Sequence, residues 1–246
     1  MKKTKPTIVL FAALIALLSN TIFAQNIHGQ ATYHYKTTID INKMRSRQLS
    51  EQQKKIIANR MKHVLEKTYV LNFNQSESVY IEENSNQQEG FEMMTDGSSF
   101  KKMYKNIEES KLLVEQKFFG ETFLIDDSLT EIEWKTGEET KQIGEHTCNK
   151  ATIVNHVVQE DGTSVATTIT AWYAKEIPVS QGPSEYWGLP GLILEVSTDK
   201  ISILCSKLTL NPSEGTEIIK PIDGKKVTKD QYAEIVKKKL TEIRKL

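Results

Sequence analysis

The sequence predicts an α+β protein, a large antiparallel sheet with one long amphipathic helix after the first strand and a second helix at the C-terminus. Three observations lead there. Apolar and polar residues alternate over many short stretches, two segments repeat apolar residues at helical spacing, and turn dipeptides punctuate the strand-like runs.

The first strand reads over Ala31–Ile41. Its odd positions Ala31, Tyr33, Tyr35, Ile39 and Ile41 are apolar or aromatic, and His34, Lys36, Thr38 and Asp40 between them are polar. A period of two sends one set to each face of a strand. Tyr69, Leu71 and Phe73 repeat the pattern, as do Ile132 and Trp134. Residues 151–158 and 165–174 are rich in β-branched side chains, and Asp161-Gly162 between them signals a hairpin, because Gly takes positive φ without steric cost. Asp96-Gly97 and Thr136-Gly137 predict two further turns, and 192–196 and 201–208 complete a meander of eight or more strands.

The first helix is expected over Ser50–Lys67. Ser50 and Gln53 stand in capping-box spacing, Ile56, Ile57, Met61, Val64 and Leu65 form one stripe, and Lys54, Lys55, Arg60 and Lys62 lie opposite. Such a helix lays its apolar stripe on the sheet. Thr228 and Gln231 repeat the capping box before a stripe of Tyr232, Ile235, Val236, Leu240 and Ile243.

The N-terminus sets the expected compartment. Lys2, Lys3 and Lys5 precede an apolar run, Ile8–Leu18, which leads to Ile22 and Ala24 at the −3 and −1 positions of a cleavage site. This is the layout of a signal peptide over residues 1–24, with an apolar run shorter than the ~20 residues a bilayer span needs. Residues 25–246 are then one soluble, exported domain without a transmembrane segment, periplasmic or secreted. Loss of three lysines leaves 29 basic against 32 acidic residues, a formal charge of −3. That balance gives no electrostatic basis for binding nucleic acid.

Cys148 and Cys205 are the only cysteines. An even count in an oxidising compartment favours a disulfide between them. Catalytic templates are missing: there is no HExxH, no GxSxG, no phosphate-cradling glycine loop and no GxGxxG after a strand. The adjacent acids Asp126-Asp127, Glu108-Glu109 and Glu138-Glu139 read as solvated charge rather than as acid/base couples. His146 and Cys148 are two apart, on one side of a strand, and with Cys205 could ligate Cu(I) or Zn(II). No cofactor is called for, and the reading is non-enzymatic.

Tyr186–Val196 reads YWGLPGLILEV and contains GLPGLI at 188–193. Its flanks include Phe119-Gly120, Phe123–Asp126, Trp134-Lys135, Ile143-Gly144, Cys148–Ala151, Ala171-Trp172-Tyr173, Ile177-Pro178 and Gly182-Pro183. On these residues the chain resembles the GLPGLI family, secreted proteins of Bacteroidota-type bacteria without an established activity. The strand-rich layout is also similar to that of periplasmic half-barrel carriers, which makes a half-barrel-like sheet the expectation. Within the motif, Leu189-Pro190-Gly191-Leu192 suits a type II turn with positive φ at Gly191. Tyr186, Trp187, Leu189, Pro190, Leu192 and Trp172 are the candidate lining of a site for an apolar ligand or an envelope protein.

Overall fold

Twelve strands hydrogen-bond into one sheet in this computed structural model, which describes residues 27–38, 65–83, 98–158 and 164–243 together with 50, 52, 53, 55 and 56. In chain order they are β1 Gly29–Thr37, β2 Glu66–Phe73, β3 Glu77–Glu82, β4 Ser98–Asn106, β5 Lys111–Phe118 and β6 Glu121–Ser128. The second half comprises β7 Lys135–Ile143, β8 His146–Val158, β9 Ser164–Ala174, β10 Leu192–Ser197, β11 Ile201–Leu210 and β12 Lys225–Val227. One helix, α1 Lys229–Ile243, follows. The order across the sheet is β12-β6-β5-β4-β3-β2-β1-β11-β10-β9-β8-β7, antiparallel throughout except where β12 lies parallel to β6.

This is a mostly-β fold, and the α+β expectation is corrected. Ser50 and Gln53 do close a reciprocal capping box at 2.9 and 3.3 Å. Yet β2 begins at Glu66, inside the expected helix, and Ile56, expected on its buried stripe, is half exposed. The rest of that helix lies outside the described residues, as do the signal segment, Asp96-Gly97 and Asp161-Gly162. The C-terminal helix forms where its capping box places it, with Gln231 N to Thr228 Oγ1 at 3.2 Å. Tyr232 packs edge-on against Phe118 and Phe123, although no residue of α1 is fully buried. None of the described helices is long and apolar enough to cross a membrane.

The connections dictate the shape of the sheet. β6 and β7 are consecutive in sequence but sit ten strand positions apart, roughly 48 Å if the sheet were flat. Only Leu129–Trp134 join them, and seven Cα steps reach about 25 Å at most. The sheet must therefore curl until its two ends approach, with residues 129–134 crossing the gap. Ile132 and Trp134, which alternate like a strand, belong to this crossing and not to the sheet.

Register identifies the inner face. Tyr33 pairs Tyr69, Ala31 pairs Leu71, Leu71 pairs Tyr80 and Tyr80 pairs Met103, and all are buried. On the far side of β1, Ile203, Val196, Ala171 and Ala151 continue the same face. On β3 and β4 the outer face is buried as well, at Val79, Tyr104 and Asn106. There the segment from β11 to β12 passes over it: Asn72 Nδ2 donates to Glu217 O at 2.9 Å, and Lys220 Nζ sits 4.8 Å above the Tyr104 ring.

Register also separates the cysteines. Cys205 shares the inner face with Ile203 and, through Val196 and Ala171, with Ala151. Cys148, three residues before Ala151, falls on the opposite face, and β9 and β10 lie between the two strands. A disulfide needs Cα atoms about 4.4–6.8 Å apart with converging side chains. Both thiols are free, which corrects the expected Cys148–Cys205 bond. Burial pushes each thiol up to about 11.

Candidate functional site: the loop between β9 and β10

Residues 175–191 leave β9 and return to β10, and they fill the interior of the curled sheet. Ile177, Val179, Gln181, Gly182, Pro183 and Leu189 are buried, as are Leu192 and Ile193 at the start of β10. Short backbone bonds around two prolines make the path compact. Val179 N donates to Ile177 O, and Gly191 N to Leu189 O, each at 2.8 Å across a single proline. This i→i+2 spacing is that of an inverse γ-turn, whose central φ near −75° suits proline.

The expected type II turn is therefore corrected. The positive φ of the motif is at Gly188 (φ 90°), not at Gly191. Gly191 is required for space: a Cβ there would lie 2.3 Å from Ala174 O. Gly182 is similar, since a Cβ would meet Ile193 Cβ and Tyr186 O at 2.8 Å.

Lys105 on β4 fastens the loop. It is fully buried, and its Nζ donates to Gly182 O at 2.8 Å, Ser184 O at 2.7 Å and Tyr186 O at 3.2 Å. An ammonium carries three donors, and all three are used. Burial pushes the amine down to about 7, and the Glu185 carboxylate opposes that shift. Two more bonds tie the same region to distant strands. Tyr33 OH donates to Ile193 O at 2.7 Å, and Trp134 Nε1, from the crossing between β6 and β7, donates to Trp187 O at 2.8 Å.

Beside Lys105 the lining mixes rings and polar groups. Tyr69 stacks on Tyr80 at 4.7 Å, with Tyr33, Tyr35 and Phe100 edge-on or tilted around them. Burial raises the hydroxyls of Tyr33, Tyr69 and Tyr80 well above their ordinary range. Ser78, paired with Lys105 across the ladder, Tyr80 and Gln181 are buried with side-chain polar atoms that find no partner among the described residues.

The sequence-derived candidates divide. Tyr186 and Trp187 are half-buried and Leu189 and Leu192 are buried, all within or next to the loop, while Pro190 is exposed. Trp172 is not with them. It pairs Glu195 and Lys150 on the outer face, under Lys141 Nζ at 4.7 Å. The metal alternative also comes apart: Cys148 and Cys205 face opposite ways, and His146 Nδ1 contacts Glu176 Oε1 at 2.6 Å. No group of three or more metal-ligating side chains occurs among the described residues. Lys105 was not singled out from the sequence, although a lysine two residues from Met103 in a strand shares its face. A polar depression of about 480 Å³, lined by His28, Asn74, Ser76, Glu108 and Thr216 among others, lies outside the loop.

The fold and loop define a class: a curled, open antiparallel sheet whose interior is occupied by its own motif-bearing loop. A family model described as a protein of unknown function (Porph_ging) matches residues 159–195, which take in β9, the loop and most of β10. This span is narrower than the residues that suggested the GLPGLI resemblance, and the match does not itself carry that name. The fold is similar to part of PNGF-II in two crystal forms. In the P21 form the TM-score is 0.52 at 15% identity over 86% of this chain and 33% of that one. In the C2 form it is 0.51 at 17% identity over 85% and 32%. This chain thus spans about a third of the length of PNGF-II, and the likeness is one of fold. No curated protein matches the sequence.

Proposed function

We propose that this chain is a non-enzymatic binding module of the bacterial envelope whose ligand is a protein, not an apolar small molecule. One observation carries the reading: the interior of the sheet, where a carrier would hold its cargo, is filled by residues 175–191 and fastened by Lys105 through three carbonyls. A site for a drug-sized apolar ligand needs a hollow of some ~300–1,000 Å³ with apolar walls. The depression of about 480 Å³ is instead lined mainly by polar residues. Lys105 directs its Nζ at three backbone carbonyls of the loop, the arrangement of a fastening group. Fold likeness to a third of a longer protein is consistent with a module. Location in the envelope rests on residues 1–24.

The test is solvent extraction of the chain purified from its native compartment, followed by mass spectrometry of the extract. Lipid far below one equivalent is expected. One equivalent of a bound lipid would sink the proposal.

A further inference from the structure

β8 and β9 run on past their neighbours. β7 pairs β8 no further than Thr152, and β10 pairs β9 no further than Thr170. From Ile153 to Val158 and from Ser164 to Ile169 the two strands pair only with each other among the described residues. This free ribbon holds no Asp, Glu, Lys or Arg, in a chain that is 26% charged. Val154 and Val165, on opposite faces by register, are 49% and 41% exposed.

The true sheet edges look different. β7 carries Lys135, Glu138, Glu139 and Lys141 and is broken by a bulge between Thr136 and Thr140. β12 is three residues long and has two lysines. Charge, bulges and shortness are the devices that stop a sheet edge from pairing with another chain. The ribbon lacks the charges and the bulge, its strands run beyond the length of β12, and a lone two-stranded hairpin is marginal in water.

We infer that this ribbon is the docking surface for a second copy of the chain, which adds edge to edge to make a continuous four-stranded antiparallel sheet. The inference rests on reading the chain as a protein-binding module and names the partner. An uncharged edge meets its own copy without like-charge repulsion, and an antiparallel edge is self-complementary about a two-fold axis, residue i meeting j as j meets i. A charged partner strand would find nothing there to recognise.

Sedimentation velocity of the full exported chain, over a dilution series, tests this. Wild type is expected to sediment as a dimer, and Val165→Lys or Val154→Lys, whichever lies on the paired edge, as a monomer with an unchanged far-UV circular dichroism spectrum, because both sites are exposed. Hydrogen exchange of wild type gives a second reading without any variant: amides in 153–158 or 164–169 should gain protection as concentration rises. A wild type that stays monomeric, or a dimer that both lysine variants leave intact, overturns the inference. Either result would leave the protein-binding reading standing, whereas bound lipid would overturn that reading whatever the oligomeric state.

Discussion

Gly191→Ala tests how the motif is built, because Gly188 and Gly191 are needed for different physical reasons. At Gly191 a methyl carbon would sit 2.3 Å from Ala174 O, 2.7 Å from its carbonyl carbon and 3.0 Å from Lys175 Cα. All three are backbone atoms where β9 ends, one residue from the Leu192–Ala174 ladder pair. Reaching an ordinary carbon contact of about 3.5 Å requires the backbones to part by roughly 1 Å. Overpacking of this kind costs about 1–3 kcal/mol, and the upper end applies where no side chain can yield. In a domain of this size each kcal/mol lowers Tm by about 2–4 °C, so Gly191→Ala should unfold roughly 6–12 °C early by circular dichroism. Gly188 has φ 90° and open space around its Cβ position. Ala there should cost only the strain of a left-handed residue, about 1–2 kcal/mol. Asn, which tolerates positive φ, should recover part of the loss at 188 and none at 191. A Gly191→Ala protein as stable as wild type, or an Asn rescue at 191, would refute the steric account.

Three further outcomes follow. With the Lys105 amine down to about 7 against an ordinary 10.5, the unfolded chain binds a proton between those values that the folded chain does not. Stability should therefore rise with pH from about 7 to about 10, by on the order of 1 kcal/mol per pH unit, and Lys105→Met should flatten that slope in urea titrations. Asp126 is held below the usual carboxylate range by Lys111 and Lys226. Its contribution is present above the ordinary Asp range and lost as pH falls through its lowered value, and Asp126→Asn should reduce exchange protection at Lys226 and Val227 at neutral pH. Unreduced tryptic digests should contain no Cys148–Cys205 peptide, and in the native protein Cys205 should be alkylated before the buried Cys148; a linked peptide would overturn the register argument.

Period-two alternation at Tyr33, Leu71 and Phe73 and the capping box at Thr228 were legible in the sequence, because each depends on neighbours within a few residues. β4, β5 and β6 were not: on β4, covering of the outer face buries Tyr104 between the inner-facing Met103 and Lys105, which erases the alternation. Thr136-Gly137 reads as a turn yet forms the bulge of β7, where a partner strand holds the chain extended.

For the loop, the sequence by itself determined that a rigid, glycine- and proline-bounded segment with apolar flanks leads into a strand. Which glycine needs positive φ and which needs room, that Lys105 fastens the loop, and that Trp172 lies on the other face were decided only by tertiary structure. Each depends on strands far apart in the chain. The curl itself belongs to the same category: six residues between β6 and β7 carry no curvature of their own, and they bend the sheet only because ten strand positions lie between their ends.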